Sequence, residues 1–166
     1  MKVGIIIIFY NNEKDIDISL LSEQLNNCIN IDFCFINNSS NDGTYHVLSE
    51  IKQVSKSNIS IVDIKKHVSE QLAIKAGVRY MSNYFQINHF GFLNMEALRN
   101  DSKKIQEIII DVNNNRDVMI SHSLKKIENI KIKHPFYNSI FSVLEYLILL
   151  KLHIKSSITS FNNLIL

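Results

Sequence analysis

The sequence predicts an α/β fold in which a mainly parallel sheet is flanked by helices. Short apolar runs of strand length alternate with segments of helical periodicity, as in parallel strands joined by crossover helices. Polar clusters directly follow three of the apolar runs, at 10–12, 37–44 and 94–96. Because the carboxyl ends of parallel strands lie at one edge of a sheet, these clusters predict a crevice there for a nucleotide-like ligand.

Four apolar runs are predicted as strands, since each has the length of a strand covered on both faces. They are Val3–Phe9, Ile31–Ile36, Ile59–Ile64 and Phe90–Leu93. The segment after each run spaces its apolar residues as a helix does. These sets are Ile18, Leu21, Leu25 and Cys28; Val47, Leu48, Ile51 and Val54; Leu72, Ala73, Ala76 and Tyr80; and Ile105, Ile108, Ile109 and Val112. A fifth strand is predicted at Asp117–Ser121.

The carboxyl-terminal third has a different pattern. Phe136–His153 predicts a helix that is apolar over much of its circumference. Glu145 and Lys151 interrupt it, and its apolar run is too short to span a bilayer. Two interpretations stay open: a helix that packs in the core or in a homodimer, and a helix that lies on a membrane surface.

Composition predicts a single domain over residues 1–166, because the length and the apolar and charged fractions are ordinary for a globular chain. The formal net charge of +2 and the dispersed lysines argue against nucleic acid as a partner. Cys28 and Cys34 lie in apolar patterns, which favours buried, reduced thiols over a disulfide. No secretory signal is predicted, so we expect a cytoplasmic protein.

Three segments carry motifs in a fixed order. Ile5–Lys14 is a strand with a Tyr-Asn turn, Phe35–Thr44 reads Phe-Ile-Asn-Asn-Ser-Ser-Asn-Asp-Gly-Thr, and Leu72–Tyr80 contains Ala-x-x-x-Gly. They resemble the motifs of family 2 glycosyltransferases, inverting enzymes of the GT-A fold that use nucleotide sugars. In that family the second motif is usually Val-Asp-Asp-Gly-Ser-Thr-Asp-Gly-Thr. The Asp117–Ser121 and Ile154–Leu164 segments show a weaker resemblance to polyprenyl-phosphate sugar transferases of the same family.

The resemblance implies which residues meet the donor. It places a nucleotide-binding half at 1–98 and an acceptor-side and carboxyl-terminal helical part at 99–166. The residues implied to contact the nucleotide are Phe9, Tyr10, Asn11, Asn37, Asn38 and Lys66. A divalent metal, Mg²⁺ or Mn²⁺, is implied at Asn94 and Glu96, where the family carries Asp-x-Asp.

Four positions that are acidic in the family carry asparagine here, namely Asn12, Asn37, Asn38 and Asn94. Asparagine keeps an acceptor oxygen but lacks the charge that holds a divalent ion. The residues of 37–44 also suit a simple turn followed by a helix cap, and that interpretation stays open. No general base is assigned, although an anionic phosphate acceptor would need no strong base.

Two functions are therefore weighed. The first is transfer of a sugar, from a donor expected to be a UDP-sugar, to a saccharide or lipid-linked acceptor in cell-surface polysaccharide or glycolipid synthesis. This function places the protein peripherally at the inner membrane. The second is a non-catalytic homologue that acts as a binding or partner subunit, with 136–153 as its contact. An unrelated nucleotide-binding α/β protein is disfavoured, because the sequence has neither a Gly-rich dinucleotide fingerprint nor a P-loop.

Overall fold

A five-stranded sheet forms the centre of the computed structural model, which describes residues 2–87, 89–98, 105–130 and 139–149. The strands are β1 (Val3–Phe9), β2 (Ile31–Asn38), β3 (Ile59–Ile64), β4 (His89–Asn94) and β5 (Ser139–Ser142). Their order is β3-β2-β1-β4-β5, and each neighbouring pair is parallel. The first four predicted strands are confirmed.

Four helices connect the strands within the same described ranges. They are α1 (Ile18–Asn26), α2 (Thr44–Val54), α3 (Glu70–Tyr84) and α4 (Ile105–Ile130), and short 3-10 turns lie at Glu13–Asp15 and Met95–Leu98. These positions confirm the predicted helices. Two details were wrong: Val54, expected on the packed face of α2, is 55% exposed, and Leu72, expected on the packed face of α3, is 53% exposed. The face that packs on the sheet is instead formed by Ala73, Ile74, Gly77, Val78 and Met81.

The core lies on both sides of the sheet. On β1, the odd-numbered residues such as Ile7 and Phe9 pack against α1, α2 and α4, whereas Ile6 and Ile8 pack against α3. A strand covered on both faces needs apolar residues at every position, which explains the unbroken run of β1. Helix α3 approaches β1 closely at Gly77, where an added Cβ would lie 2.9 Å from the Ile6 side chain.

The strand predicted at Asp117–Ser121 was wrong, because these residues lie inside α4. Periodicity over five residues cannot distinguish a buried strand from a segment of a helix. In the structure Met119 and Ile120 are buried while Val118 is 56% exposed. They continue the helical stripe that begins at Ile105, so the long helix, rather than the local run, determines the conformation.

The helix predicted over Phe136–His153 was also wrong in part. Its residues Ser139–Ser142 form β5, which extends the sheet beyond β4, and residues 143–149 are helical. An open strand edge favours strand pairing over a continued helix, because it offers unpaired backbone donors and acceptors. Of this helical segment, Val143, Tyr146 and Leu147 are buried in the core, in line with the core interpretation. The remaining predicted residues, 136–138 and 150–153, lie outside the described part of the chain, as does Ile154–Leu164.

No helix within the described residues has the length and apolar character needed to cross a membrane. The two cysteines are free thiols. Burial raises the pKa of Cys34 to about 12 and that of Cys28 to about 11. Both thiols are therefore protonated at neutral pH, and neither has the reactivity of a catalytic cysteine.

Candidate functional site

The candidate site lies at the carboxyl edge of the sheet, where the direction of strand order reverses. The chain runs outward from β1 to β2 and β3, then returns to place β4 on the other side of β1. Ligands of open α/β sheets bind at such a switch point. Tyr10 directly follows β1 and Asn94 ends β4, and the pairing of Ile8 with Asn94 and of Phe9 with Asn37 brings these strand ends side by side.

Two loops at this edge are joined by hydrogen bonds. Loop 10–15 follows β1 and loop 39–43 follows β2. The bonds run from Asn11 N–H to Ser40 Oγ (3.1 Å), from Asn12 N–H to Thr44 Oγ1 (2.8 Å), from Glu13 N–H to Asp42 Oδ2 (3.1 Å), from Asn41 N–H to Asn11 Oδ1 (2.8 Å) and from Gly43 N–H to Glu13 Oε2 (3.0 Å). The two loops therefore form one wall of the crevice.

The wall requires left-handed backbone at two positions, Asn11 with φ 53° and Ser39 with φ 63°. Asparagine is among the side chains that tolerate this region best. Ser39 stands where the resembling motif carries glycine, the residue that adopts positive φ without a steric penalty. The turn after β2 therefore needs positive φ at position 39, which accounts for the glycine of the motif, and this chain makes the turn with Ser39.

Asparagine occupies four positions that are acidic in the family, and in each of these residues both the carbonyl oxygen and the amide nitrogen of the side chain form hydrogen bonds. Their carbonyl oxygens accept backbone N–H groups: Tyr10 to Asn12 (2.8 Å), Ser40 to Asn37 (3.4 Å), Val68 to Asn38 (3.1 Å) and Glu96 to Asn94 (3.1 Å). Their amide nitrogens donate to Asp15 (2.9 Å), Asp63 (2.8 Å), the Val68 carbonyl (2.9 Å) and Glu70 (2.7 Å) respectively. An ionised carboxylate accepts hydrogen bonds but donates none. Each asparagine therefore makes a contact that the family's acid cannot make.

Asp63, on β3, brings a carboxylate next to Asn37. The hydrogen bond from Lys65 holds the pKa of Asp63 below its ordinary value; partial burial opposes this shift, and the hydrogen bond from Asn37 adds to it. The side chain of Asp63 keeps 28% of its surface exposed, so it is accessible to a ligand. Asp63 therefore places a negative charge beside the Asn37 amide, from the neighbouring strand of the sheet.

Changing Asn37 to Asp is expected to raise the pKa of Asp63. The substitution removes an N–H donor to the carboxylate and places a second carboxylate beside it, and both changes favour the protonated acid. Carbon NMR titration of the carboxyl groups measures the shift, with Asp117 on α4, whose pKa is lowered by Arg116, as the internal reference. In the wild type, the stability that Asp63 contributes is present above its unfolded pKa and is lost as pH falls through the lowered folded pKa. An unchanged Asp63 titration in the variant would show that the two side chains do not interact.

The aromatic and basic residues of the predicted site take different positions. Tyr10 is partly exposed and its ring packs on His67, with centroids 4.5 Å apart and a 54° tilt. Lys66 is exposed in the loop after β3. Phe9 is fully buried, and its ring packs edge-on against Phe35 with centroids 5.3 Å apart. The structure thus brings Tyr10 and Lys66 to the crevice but places the Phe9 side chain in the core below it.

The predicted metal residues lie at the end of β4. Asn94 is partly exposed, Glu96 is exposed in the following 3-10 turn, and Glu70 of α3 contacts the Asn94 amide. Carboxylate and amide oxygens are the ligands that Mg²⁺ and Mn²⁺ prefer, so the chemistry of these residues fits such an ion. Within the described residues, no group of three or more His, Cys, Asp and Glu side chains is placed to hold a metal.

A family model described as Glycosyl transferase family 2 matches residues 4–93, more than half of the chain. The chain belongs to glycosyltransferase family 2. Its parallel sheet flanked by helices agrees with the GT-A fold predicted from the motifs. Family 2 membership supports transferase activity with a nucleotide-sugar donor and an acceptor. No curated protein matches the sequence.

Three residues at this family 2 site were not found by sequence reasoning: Asp63, His67 and Glu70. Asp63 on β3 pairs with Asn37 on β2. Its position near the end of a strand was therefore the feature of the sequence that could have indicated it as a site residue. His67 follows the same strand, but nothing in the sequence around a lone histidine indicates that its ring packs against a tyrosine. Glu70 occupies the first turn of α3, where a carboxylate is already explained by the helix dipole.

Proposed function

We propose that this family 2 glycosyltransferase moves a sugar from a UDP-sugar to a saccharide or lipid-linked acceptor. The setting is cell-surface polysaccharide or glycolipid synthesis, with the protein peripheral at the inner face of a membrane. The observation that carries the proposal is the convergence of the loops after β1, β2 and β3 on one edge, beside Asn94 and Glu96 at the end of β4.

The nucleotide would lie against the first three strand ends. Tyr10, backed by His67, offers an aromatic face for the base, and Asn11 borders it. Asn37 and Asn38 hold the wall that meets the base or ribose, and Lys66 approaches the phosphates. Phe9 supports this wall from the core. In this function residues 1–98 serve as the donor half of a single domain, and 99–166 as the acceptor side.

Transfer requires attack of an acceptor oxygen on the anomeric carbon while the bond from that carbon to the diphosphate breaks. Asn94 and Glu96 would hold a Mg²⁺ or Mn²⁺ ion, which when bound neutralises charge on the leaving diphosphate. A phosphate acceptor, as in polyprenyl-phosphate sugar transfer, arrives as an anion and needs no strong base. This acceptor class suits a site whose general base is unassigned.

Calorimetric titration with UDP and a panel of UDP-sugars, with and without Mn²⁺, tests the proposal. We expect UDP to bind and Mn²⁺ to tighten its binding. Glu96→Ala should remove most of the metal effect, whereas Glu23→Ala, which removes an exposed carboxylate from α1, should retain it. An equal metal effect and equal turnover in Glu96→Ala would refute the metal assignment.

The same titration separates the proposal from a non-catalytic partner subunit. Absence of UDP binding in both conditions would refute the proposed transfer and favour the partner role. Sugar transfer by the purified chain, detected as release of UDP in the presence of an acceptor, would refute the partner role.

A further inference from the structure

Within the part of the chain that the structure describes, helix α3 covers one side of the sheet by itself. Its inner residues pack on Ile6, Ile8 and Ile36, whereas α1, α2 and α4 pack on the opposite side. The outer face of α3 therefore lies at the surface on its own side of the domain. This face, here called the outer stripe, consists of Leu72, Lys75, Arg79 and Asn83.

The outer stripe is exposed and positively charged. Its residues are separated by three or four positions, so they share one face of the helix, and all of them are exposed. The sequence from Gln71 to Met95 contains no Asp or Glu. Among the described side chains, neither Lys75 nor Arg79 has a hydrogen-bond or ion-pair partner. Both cations are therefore available to an external negative charge.

An apolar and an aromatic side chain accompany these cations. Leu72 belongs to the stripe and is 53% exposed. Tyr84 lies beside the stripe at the end of α3, is 69% exposed, and packs on Tyr80 with ring centroids 4.7 Å apart. Leucine gains free energy by burying apolar surface in a bilayer, and tyrosine favours the interface because its ring is apolar and its hydroxyl is polar. The combination of side chains is typical of a surface that contacts lipid.

We propose that the outer stripe docks on an anionic lipid bilayer, with Lys75 and Arg79 at the headgroups and with Leu72 and Tyr84 in the interface. This inference rests on the proposed function, which places the protein at a membrane, and it identifies the side of the domain that meets the lipid. Helix α3 begins at the carboxyl edge of the sheet, where Glu70 contacts the end of β4. Docking through α3 therefore brings the crevice close to the bilayer that holds a lipid-linked acceptor.

A second copy of the chain fits this face poorly. Two-fold pairing would bring Lys75 and Arg79 of one copy against the same cations of the other, and the stripe has no carboxylate to balance them. An acidic protein could pair with the cations but would need carboxylates at matching fixed positions. A bilayer supplies mobile anionic headgroups for the cations and apolar chains for Leu72, so it accounts for both kinds of side chain.

Vesicle sedimentation with the full chain tests the inference. Vesicles of phosphatidylcholine alone are compared with vesicles of equimolar phosphatidylcholine and phosphatidylglycerol, and we expect binding to the anionic vesicles that weakens as salt is raised. Lys75→Gln combined with Arg79→Gln should weaken this binding by about 25-fold, because each basic residue near an anionic surface contributes about fivefold. Leu72→Ser should also weaken it.

Matched controls remove the same chemical groups from the opposite side of the domain. Lys52→Gln combined with Lys56→Gln removes two exposed cations from the end of α2 and the loop after it, and Val54→Ser changes an apolar residue that is 55% exposed. Both controls should bind anionic vesicles as the wild type does. UDP affinity without vesicles and the unfolding midpoint should stay at wild-type values in the stripe variants.

Absence of wild-type binding to anionic vesicles would overturn the inference and would leave an acidic protein as the occupant to seek. Equal losses of binding in the stripe variants and in their controls would overturn it as well. Either result leaves the proposed function standing as long as the wild type binds UDP in solution. A protein that docks on anionic vesicles through the stripe but binds no UDP would support the docking surface and refute the proposed transfer.

Discussion

Replacing Asn38 with Asp, the residue usual in the family, is expected to destabilise the protein by about 2–3 kcal/mol. Asn38 is buried, and its amide pairs with both backbone groups of Val68. An aspartate can accept the Val68 N–H but would direct a lone pair at the Val68 carbonyl. A charged oxygen would then be buried against an acceptor without a compensating donor.

The damage should concentrate in the loop after β3, because Asn38 and its neighbour hold that loop. Besides the side-chain pairing with Val68, the backbone carbonyl oxygen of Asn38 lies 3.1 Å from His67 Nδ1. Ser39 Oγ also donates to the backbone carbonyl of Lys65 at 3.3 Å. The variant should therefore bind UDP more weakly as well. Restoring the family residue at this position alone is predicted to harm the site.

Urea unfolding and UDP titration check this prediction. Asn41→Asp, the same chemical change at an exposed position of the neighbouring loop, is the control and should alter stability by no more than about 0.5 kcal/mol. Equal stability of the two variants would contradict the role given to the Val68 pairing.

Replacing Phe9 with Ala should have the larger effect on stability, a loss of about 3–5 kcal/mol. The Phe9 side chain has no exposed surface and packs in the cluster formed with α1, α2 and α4. Removing the ring takes away its transfer free energy and leaves a cavity beside Phe35. Val54→Ala, at a position 55% exposed on α2, should change stability by no more than about 0.5 kcal/mol in the same assay.

Phe9→Leu tests whether the Phe9 ring contacts the nucleotide. Leucine keeps most of the core packing but removes the aromatic ring. Because the ring has no surface in the crevice, we expect UDP affinity to be unchanged in this variant. A marked loss of UDP affinity in a folded Phe9→Leu protein would show that the ring does contact the base.

The strands and helices up to β4 were predictable because each carries its own complete pattern. A strand buried on both faces reads as an unbroken apolar run, and α1, α2 and α3 show helical spacing within their own lengths. The part from α4 onward was less predictable. The Asp117–Ser121 run has a strand-like composition that only the whole of α4 overrides, and β5 forms because β4 offers an edge to pair with.

The positions of the candidate residues were predictable where these residues follow strands directly. Tyr10 and Asn94 lie partly exposed at the carboxyl edge of the sheet, and Asn37 lies buried at the same edge, because the end of a strand fixes their location. Their partners were not predictable, since Asp63 and Glu70 become meaningful only when neighbouring elements are brought together. Four acid-to-asparagine differences suggested a weakened site in sequence. In three dimensions, three of those asparagines face a carboxylate.

The hydrogen bonds that join loop 10–15 to loop 39–43 bear on the thermodynamics of donor binding. A loop that must become ordered when a ligand arrives loses conformational entropy at that moment, and the loss is subtracted from affinity. Here the backbone N–H groups of Asn11 and Glu13 are already satisfied by side chains of loop 39–43, and that of Asn12 by the Thr44 hydroxyl at the start of α2. The entropy of ordering this wall is therefore lost during folding, and the surface proposed to meet the nucleotide is already ordered before the donor arrives.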